Sequence, residues 1–172
     1  MKMEKEKDNF HVDMSGRIYE SKTIGIALVG TKSKLHYGCA IKGNLIRLIK
    51  KELFKGNIYE DSAKLYSICI YLLVKDIKDK VKILIICNDE DFEIVKLSLS
   101  SLLKDYSFEI INITEYRKRL GRDIGSLADN YANIYRRRAL KPYRWLKGKE
   151  IKVVEINFNL IKKYWGELKQ VK

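Results

Sequence analysis

The sequence predicts an α/β fold: one mixed, five-stranded sheet with helices on its faces. Three observations lead to that class. β-prone segments follow one another at residues 9–14, 21–29 and 34–41, spaced for an antiparallel meander. K-I-L-I-I-C at 82–87 is a continuous apolar run, as a central buried strand requires. Beyond the meander, helical and strand patterns alternate, which places helices over a mixed sheet.

The first segment, N-F-H-V-D-M, ends near an acid and is followed by Ser15-Gly16, which is turn chemistry. The second and third are separated by Gly30-Thr31-Lys32-Ser33. Residues 44–54 form a helix with Leu45, Leu48, Ile49 and Leu53 on one face and Arg47, Lys50 and Lys51 on another. Gly56-Asn57 breaks it, and a second helix spans 60–77 with Tyr66, Ile70, Leu73 and Ile77 as its stripe. The buried strand at 82–87 stops abruptly at Asn88-Asp89-Glu90-Asp91. Residues 92–103 are helical, with Phe92, Val95, Leu99 and Leu102 in register. A strand at 108–113 and a helix at 126–139 follow. Alternation of Val154, Ile156, Phe158 and Leu160 with polar residues suggests a late strand, and Tyr164, Trp165 and Leu168 mark a last helical turn.

The 172 residues suit one domain with a core of its own. With no linker or repeat to divide the chain, the expected organisation is a charged tail at 1–8, one domain at 9–140 and an extension at 141–172 packed on it. The apolar run at 68–74 is the longest and falls short of the roughly 18 residues of a membrane span, so no membrane partner is expected. The charged N-terminus does not read as a secretory signal. Cys39, Cys69 and Cys87 form no C-x-x-C pair and sit in apolar sequence, which suits free buried thiols and a cytoplasmic location. His11 and His36 lack zinc-ligand spacing to them. Lysine and arginine number 35 against 22 acids, a net charge of +13 that favours polyanionic partners, nucleic acid first.

Four acids stand at ends of predicted elements: Asp13 at the first strand, Glu60 opening the long helix, Asp89 after the buried strand, and Asp129 in the first turn of the late helix. Carboxylates so placed can converge, and hard cations such as Mg²⁺ or Mn²⁺ take such oxygens. Two metal ions about 4 Å apart activate water on one side of a phosphodiester and stabilise the leaving oxygen on the other.

Taken in order, H-V-D-M-S-G-R, E-D-S-A-K-L-Y, I-I-C-N-D and S-L-A-D-N-Y-A make the chain resemble the ribonuclease H-like superfamily, type 1 ribonuclease H in particular. The resemblance spans residues 9–140. It implies a ribonuclease H-like fold and a metal-dependent nuclease acting on the RNA strand of RNA–DNA hybrids. Asp13 would bridge two metal ions, Glu60 and Asp89 would complete the shared ligand set, and Asp129 would bind the second ion or position the attacking water. The superfamily also includes structure-specific DNA nucleases such as junction resolvases, and a non-catalytic nucleic-acid-binding or assembly module on the same fold is a further reading. The chain departs from type 1 in the extra helix at 44–54. It also has no histidine in the loop before Asp129, where Arg117, Lys118, Arg119 and Arg122 stand instead.

Each acid has a structural alternative. Ser126 to Asp129 fits a capping box, Asp91 a helix cap, Asp61 and Glu60 ordinary first-turn acids, Asp13 a strand-end turn, and Asp123 a loop position. Basic residues interleaved with aromatics from 116 to 147, namely Arg117, Lys118, Arg119, Arg122, Arg136, Arg137, Arg138 and Arg144, are the candidate nucleic-acid contacts. Their alternative is a solvated helix face.

Overall fold

A computed structural model of the protein describes residues 6–33, 35–138 and 150–168. The meander forms as β1 (Asp8–Ser15), β2 (Ile24–Gly30) and β3 (Leu35–Ile41), followed by α1 (Gly43–Leu53) and α2 (Ile58–Val74). Then come β4 (Val81–Ile86), α3 (Phe92–Leu103), β5 (Glu109–Asn112), α4 (Ile113–Leu120), α5 (Asp129–Arg138), β6 (Glu150–Val153) and α6 (Phe158–Leu168). The sheet has six strands in the order β5-β4-β1-β2-β3-β6, so the expected five is short by one. β1, β2 and β3 pair antiparallel, while β1, β4 and β5 run parallel. The added strand, β6, pairs parallel to β3 from Leu35 opposite Glu150.

The alternating pleat of β1 divides the molecule. Phe10, Val12 and Met14 enter the main core, shared with α1, α2, α3 and α6. His11 and Asp13 point to the other face, where α5 packs on Ala27 and Val29, and α4 packs on Ile85 and Ile111. Helix α2 is buried on nearly all sides, which explains its long unbroken apolar run. It ends at Val74, and Ile77, the last residue of its expected stripe, lies in a 3-10 turn.

Two further elements depart from expectation. The strand read at 108–113 is only four residues long, because Asn112 caps α4 by accepting from the Glu115 amide at 2.8 Å. Gly121, in the left-handed conformation at φ 66°, ends that helix. The late strand read at 154–160 is displaced: β6 stops at Val153, and Asn157 caps α6 through the Leu160 amide at 2.9 Å. Ile161, Tyr164, Trp165 and Leu168 then enter the main core at helical spacing. The three cysteines are free thiols, and among the described residues no helix is long and apolar enough to cross a membrane.

Asp8, expected in the charged tail at 1–8, instead opens β1 as a buried carboxylate. It accepts from the Thr31 hydroxyl at 2.5 Å and from the amides of Asn9, Lys32 and Ser33 at 2.7–2.9 Å, fixing the β2–β3 turn to β1. Burial alone would raise its pKa, but these bonds outweigh burial and hold it below the usual aspartate value. A depressed carboxylate stabilises the fold above its unfolded pKa, and that contribution disappears as pH falls through the folded value. Asp8→Ala should therefore cost about 2–3 kcal/mol at neutral pH, since it strands several buried donors. Urea unfolding should show the gap between parent and variant closing in acid; a gap independent of pH would refute the role of the charge.

Candidate functional site

The site lies where parallel strands β1 and β4 end. The Cys87 amide donates to the Val12 carbonyl at 3.1 Å, extending the strand pairing and laying the Asn88-Asp89 turn against Met14. The Met14 amide is then shared: it donates to Asp13 Oδ1 at 2.8 Å and to Asp89 Oδ2 at 3.3 Å. Two carboxylates distant in sequence are thereby held side by side.

Asp129 is brought in by α5, whose seat is made of small residues. A Cβ on Gly25 would lie 2.2 Å from the Ala132 carbonyl oxygen, and one on Gly38 would lie 2.3 Å from the Tyr135 ring. Ala27, Ala128 and Ala132 complete this close approach. Ser15 Oγ adds a contact to Asn133 Oδ1 at 3.4 Å. The helix thus starts over the end of β1 and places the Asp129 charge within electrostatic reach of both Asp13 and Asp89.

The electrostatic result is a site short of positive charge. Burial, the hydrogen bond to Asp89 and repulsion from Asp89 and Asp129 push the Asp13 pKa up to about 8. Asp89 is open to solvent on its outer side, yet the protein around its carboxyl still raises its pKa. Burial and Asp89 together push Glu90 up to about 7. Beneath them the Tyr66 hydroxyl of α2 is fully buried without a hydrogen-bond partner, and it feels the charges of Asp89, Asp13 and Glu90.

Glu60 is not brought to this group. It is exposed and lines a separate pocket with Lys64, Leu97 and Leu168. Its neighbour Tyr59 lines the aspartate cleft instead. Asp61 turns inward and accepts from the Lys55 and Gly56 amides at 3.2 and 3.1 Å. Asp91 caps α3 through the Ile94 amide at 3.2 Å. Ser126 Oγ accepts from the Ala128 amide at 3.1 Å, one residue short of the capping-box partner. Asp123 is exposed and pairs with Arg117 at 3.5 Å. Among the described residues, no three His, Cys, Asp or Glu side chains are arranged to hold a metal ion.

The basic candidates divide. Arg119 is bound bidentately to Glu109 at 2.6 Å and also pairs with Glu115. Arg117 donates to the Ile124 carbonyl. Both are engaged within the fold. Lys118, Arg122 and Arg137 are exposed. Arg136 lines the cleft and donates to the Thr23 carbonyl at 3.0 Å. The Arg138 side chain and all of Arg144, with Lys141, Tyr143 and Trp145, lie outside the described residues. The histidines are core residues: burial pushes the His11 pKa down to about 4, and His11 meets Tyr116 edge-on, while His36 packs against Tyr131.

Beside Asp89 opens a cleft of about 710 Å³, lined by Gly16, Arg17, Tyr19, Tyr59, Glu90 and Arg136 among others. Of these, Arg136 alone is among the sequence candidates. Two others stand beside residues the sequence singled out, Tyr59 next to Glu60 and Glu90 next to Asp89. Adjacency in the chain was the signal that could have found them. Comparison with protein-family models, curated proteins and solved structures finds no match for this chain.

Proposed function

We propose that the protein is a divalent-metal-dependent nuclease with a ribonuclease H-like fold, acting first of all on the RNA strand of an RNA–DNA hybrid. The observation that carries this reading is the Asp13–Asp89 pair at the ends of β1 and β4, with Asp129 in electrostatic reach. The strand arrangement supports it, since an antiparallel β1–β2–β3 meander joined by parallel β4 and β5 is a mixed sheet of the kind expected. The donor chemistry fits Mg²⁺ or Mn²⁺: adjacent hard oxygens retain a proton where a cation would relieve the same repulsion. Asp13 and Asp89 would hold such an ion between them, and Asp129 would hold a second. The metal would supply an activated water and charge for the leaving oxygen. Arg136 and Arg17 would hold the phosphate backbone beside it.

Cleavage assays on labelled hybrid, duplex and junction substrates, with and without Mg²⁺, test the reading. Metal-dependent cleavage of the hybrid is expected, and cleavage of the junction alone would move the assignment to a structure-specific DNA nuclease. Binding should also depend steeply on salt, because neutralised phosphates release counterions. Affinity for the hybrid should fall roughly tenfold or more from low to moderate salt. No binding at low salt would remove nucleic acid as the partner.

A second reading is a non-catalytic nucleic-acid-binding or assembly module. It is favoured by Glu60 facing elsewhere and by the lack of a ready three-ligand set among the described residues. Salt-dependent binding without cleavage of any substrate would select it.

A further inference from the structure

We propose that the cleft takes a nucleic-acid strand with unpaired bases, stacked on Tyr19 and Tyr59. Within the nuclease reading, the preferred substrates are then hybrids or junctions that carry an unpaired overhang or flap, rather than fully paired duplex. The inference deepens the nuclease reading and rests on it for chemistry, but its binding claim stands on the cleft alone.

Tyr19 is 43% exposed and Tyr59 67%; every other described aromatic side chain is buried or half-buried. Both exposed rings line the same cleft, together with Asp89. Leaving such rings in water forgoes burial that the other aromatics obtain, and a flat partner recovers it. Arg17 and Arg136 line the same walls and bring positive charge beside the rings. Rings for bases and guanidinium groups for phosphates are the composition of a single-strand site. The cleft volume lies within the roughly 300–1,000 Å³ of ligand pockets.

The Tyr19 ring is also held in place. Arg17 donates to the Tyr19 hydroxyl at 2.6 Å, and buried Ile18 anchors the turn between them. From α1, Lys50 donates to the Tyr19 carbonyl and to Ser21 Oγ, both at 2.7 Å, and Arg47 donates to the Ser21 carbonyl at 3.1 Å. The first turn of α2 presents Tyr59, whose amide donates to the Asn57 cap at 2.8 Å. The helix that has no counterpart in the type 1 resemblance thus braces the Tyr19 wall, while the first turn of α2 supplies the Tyr59 wall. A rigid aromatic platform loses little entropy when a base stacks on it.

The test is fluorescence anisotropy of the full chain with a labelled oligothymidine and with a duplex of equal length, in EDTA so that cleavage plays no part. Single strand should bind more tightly than duplex. Tyr59→Ala and Tyr19→Ala should each weaken single-strand binding by roughly 5- to 150-fold, with duplex binding little changed. Tyr59→Trp should retain affinity. Tyr59→Leu, which keeps apolar area but not the π face, should lose it. Equal affinity for duplex and single strand would overturn the proposal, as would folded alanine variants that bind like the parent or a leucine variant as good as tyrosine. Those failures leave metal-dependent cleavage intact, whereas loss of the nuclease reading alone would leave the binding pattern in place.

Discussion

Asp13→Asn should abolish metal-dependent cleavage while raising the melting temperature of the metal-free protein. Asparagine keeps the size of aspartate, its amide N–H can donate to Asp89, and one of the repelling charges is gone. The parent must protonate or repel. Its folded Asp13 pKa, about 8, lies far above that of an unfolded aspartate, so the folded state holds a proton that the unfolded state releases. The stability linked to that proton is complete below the unfolded pKa and is lost as pH rises through about 8. Raised values at Asp89 and Glu90 act in the same direction. Parent stability should therefore decline from mildly acid to mildly alkaline pH, and the variant should show a flatter profile. At the alkaline end the variant should gain roughly 1–3 kcal/mol, or about 2–4 °C in Tm for each kcal/mol in a chain this size. Mg²⁺ should restore the parent and do little for the variant. Even residues that only support metal ligands cost about 10–100-fold on mutation, so loss of a bridging carboxylate should exceed about 100-fold in cleavage. A variant that melts lower than the parent and cleaves as well per folded molecule would make Asp13 a structural strand-end residue.

The parts of this molecule legible in sequence are those whose pattern is set by burial. The apolar run at 82–87 pointed to a buried central strand, and the stripe of Tyr66, Ile70 and Leu73 to a helix, although the enclosure of α2 on nearly all sides goes beyond that stripe. Asp89 was legible because it follows an apolar strand, and Asp13 because an acid interrupts the apolar residues of β1, inside which it lies buried. Glu60 illustrates the limit: a helix rotates by about 100° per residue, so the residue at the cleft is Tyr59 and not its neighbour. β6 was hidden because it is four residues long and stands at an edge, where pairing with β3 decides more than its own pattern. The start of α6 was hidden by Val154 and Ile156, whose alternation continues by chance into Phe158 and Leu160. Asn157 is the residue that distinguishes the two readings, because its side chain caps the helix. Arg119 shows the reverse error: its charge suggested a phosphate, but Glu109 and Glu115 already occupy its guanidinium.

Gly25→Ala should destabilise the fold and weaken the site together, although Gly25 touches none of the three aspartates directly. The glycine lies on β2 where the backbone of α5 crosses at the closest point. An added Cβ would lie 2.2 Å from the Ala132 oxygen and 2.3 Å from the Arg136 nitrogen. Both are backbone atoms of a helix and cannot rotate away, so the helix itself must lift. Overfilling a well-packed contact costs about 1–3 kcal/mol when side chains can yield, and a backbone contact belongs at or above the upper end, roughly 3 kcal/mol. Gly56 provides the control, since a Cβ there meets nothing within 4 Å. Gly56→Ala should stay within about 0.5 kcal/mol of the parent. The functional consequence follows from what α5 carries. Lifting it moves Asp129 away from Asp13 and shifts Arg136 from its bond to Thr23. Under conditions where Gly25→Ala is still folded, metal-dependent cleavage should fall and the alkaline loss of stability attributed to Asp13 should shrink, because one of the repelling charges has moved off. Urea unfolding at two pH values, with cleavage measured per folded molecule, reads both effects. If Gly25→Ala is as stable as the parent, α5 does not rest on β2 at this point, and the placement of Asp129 beside Asp13 falls with it.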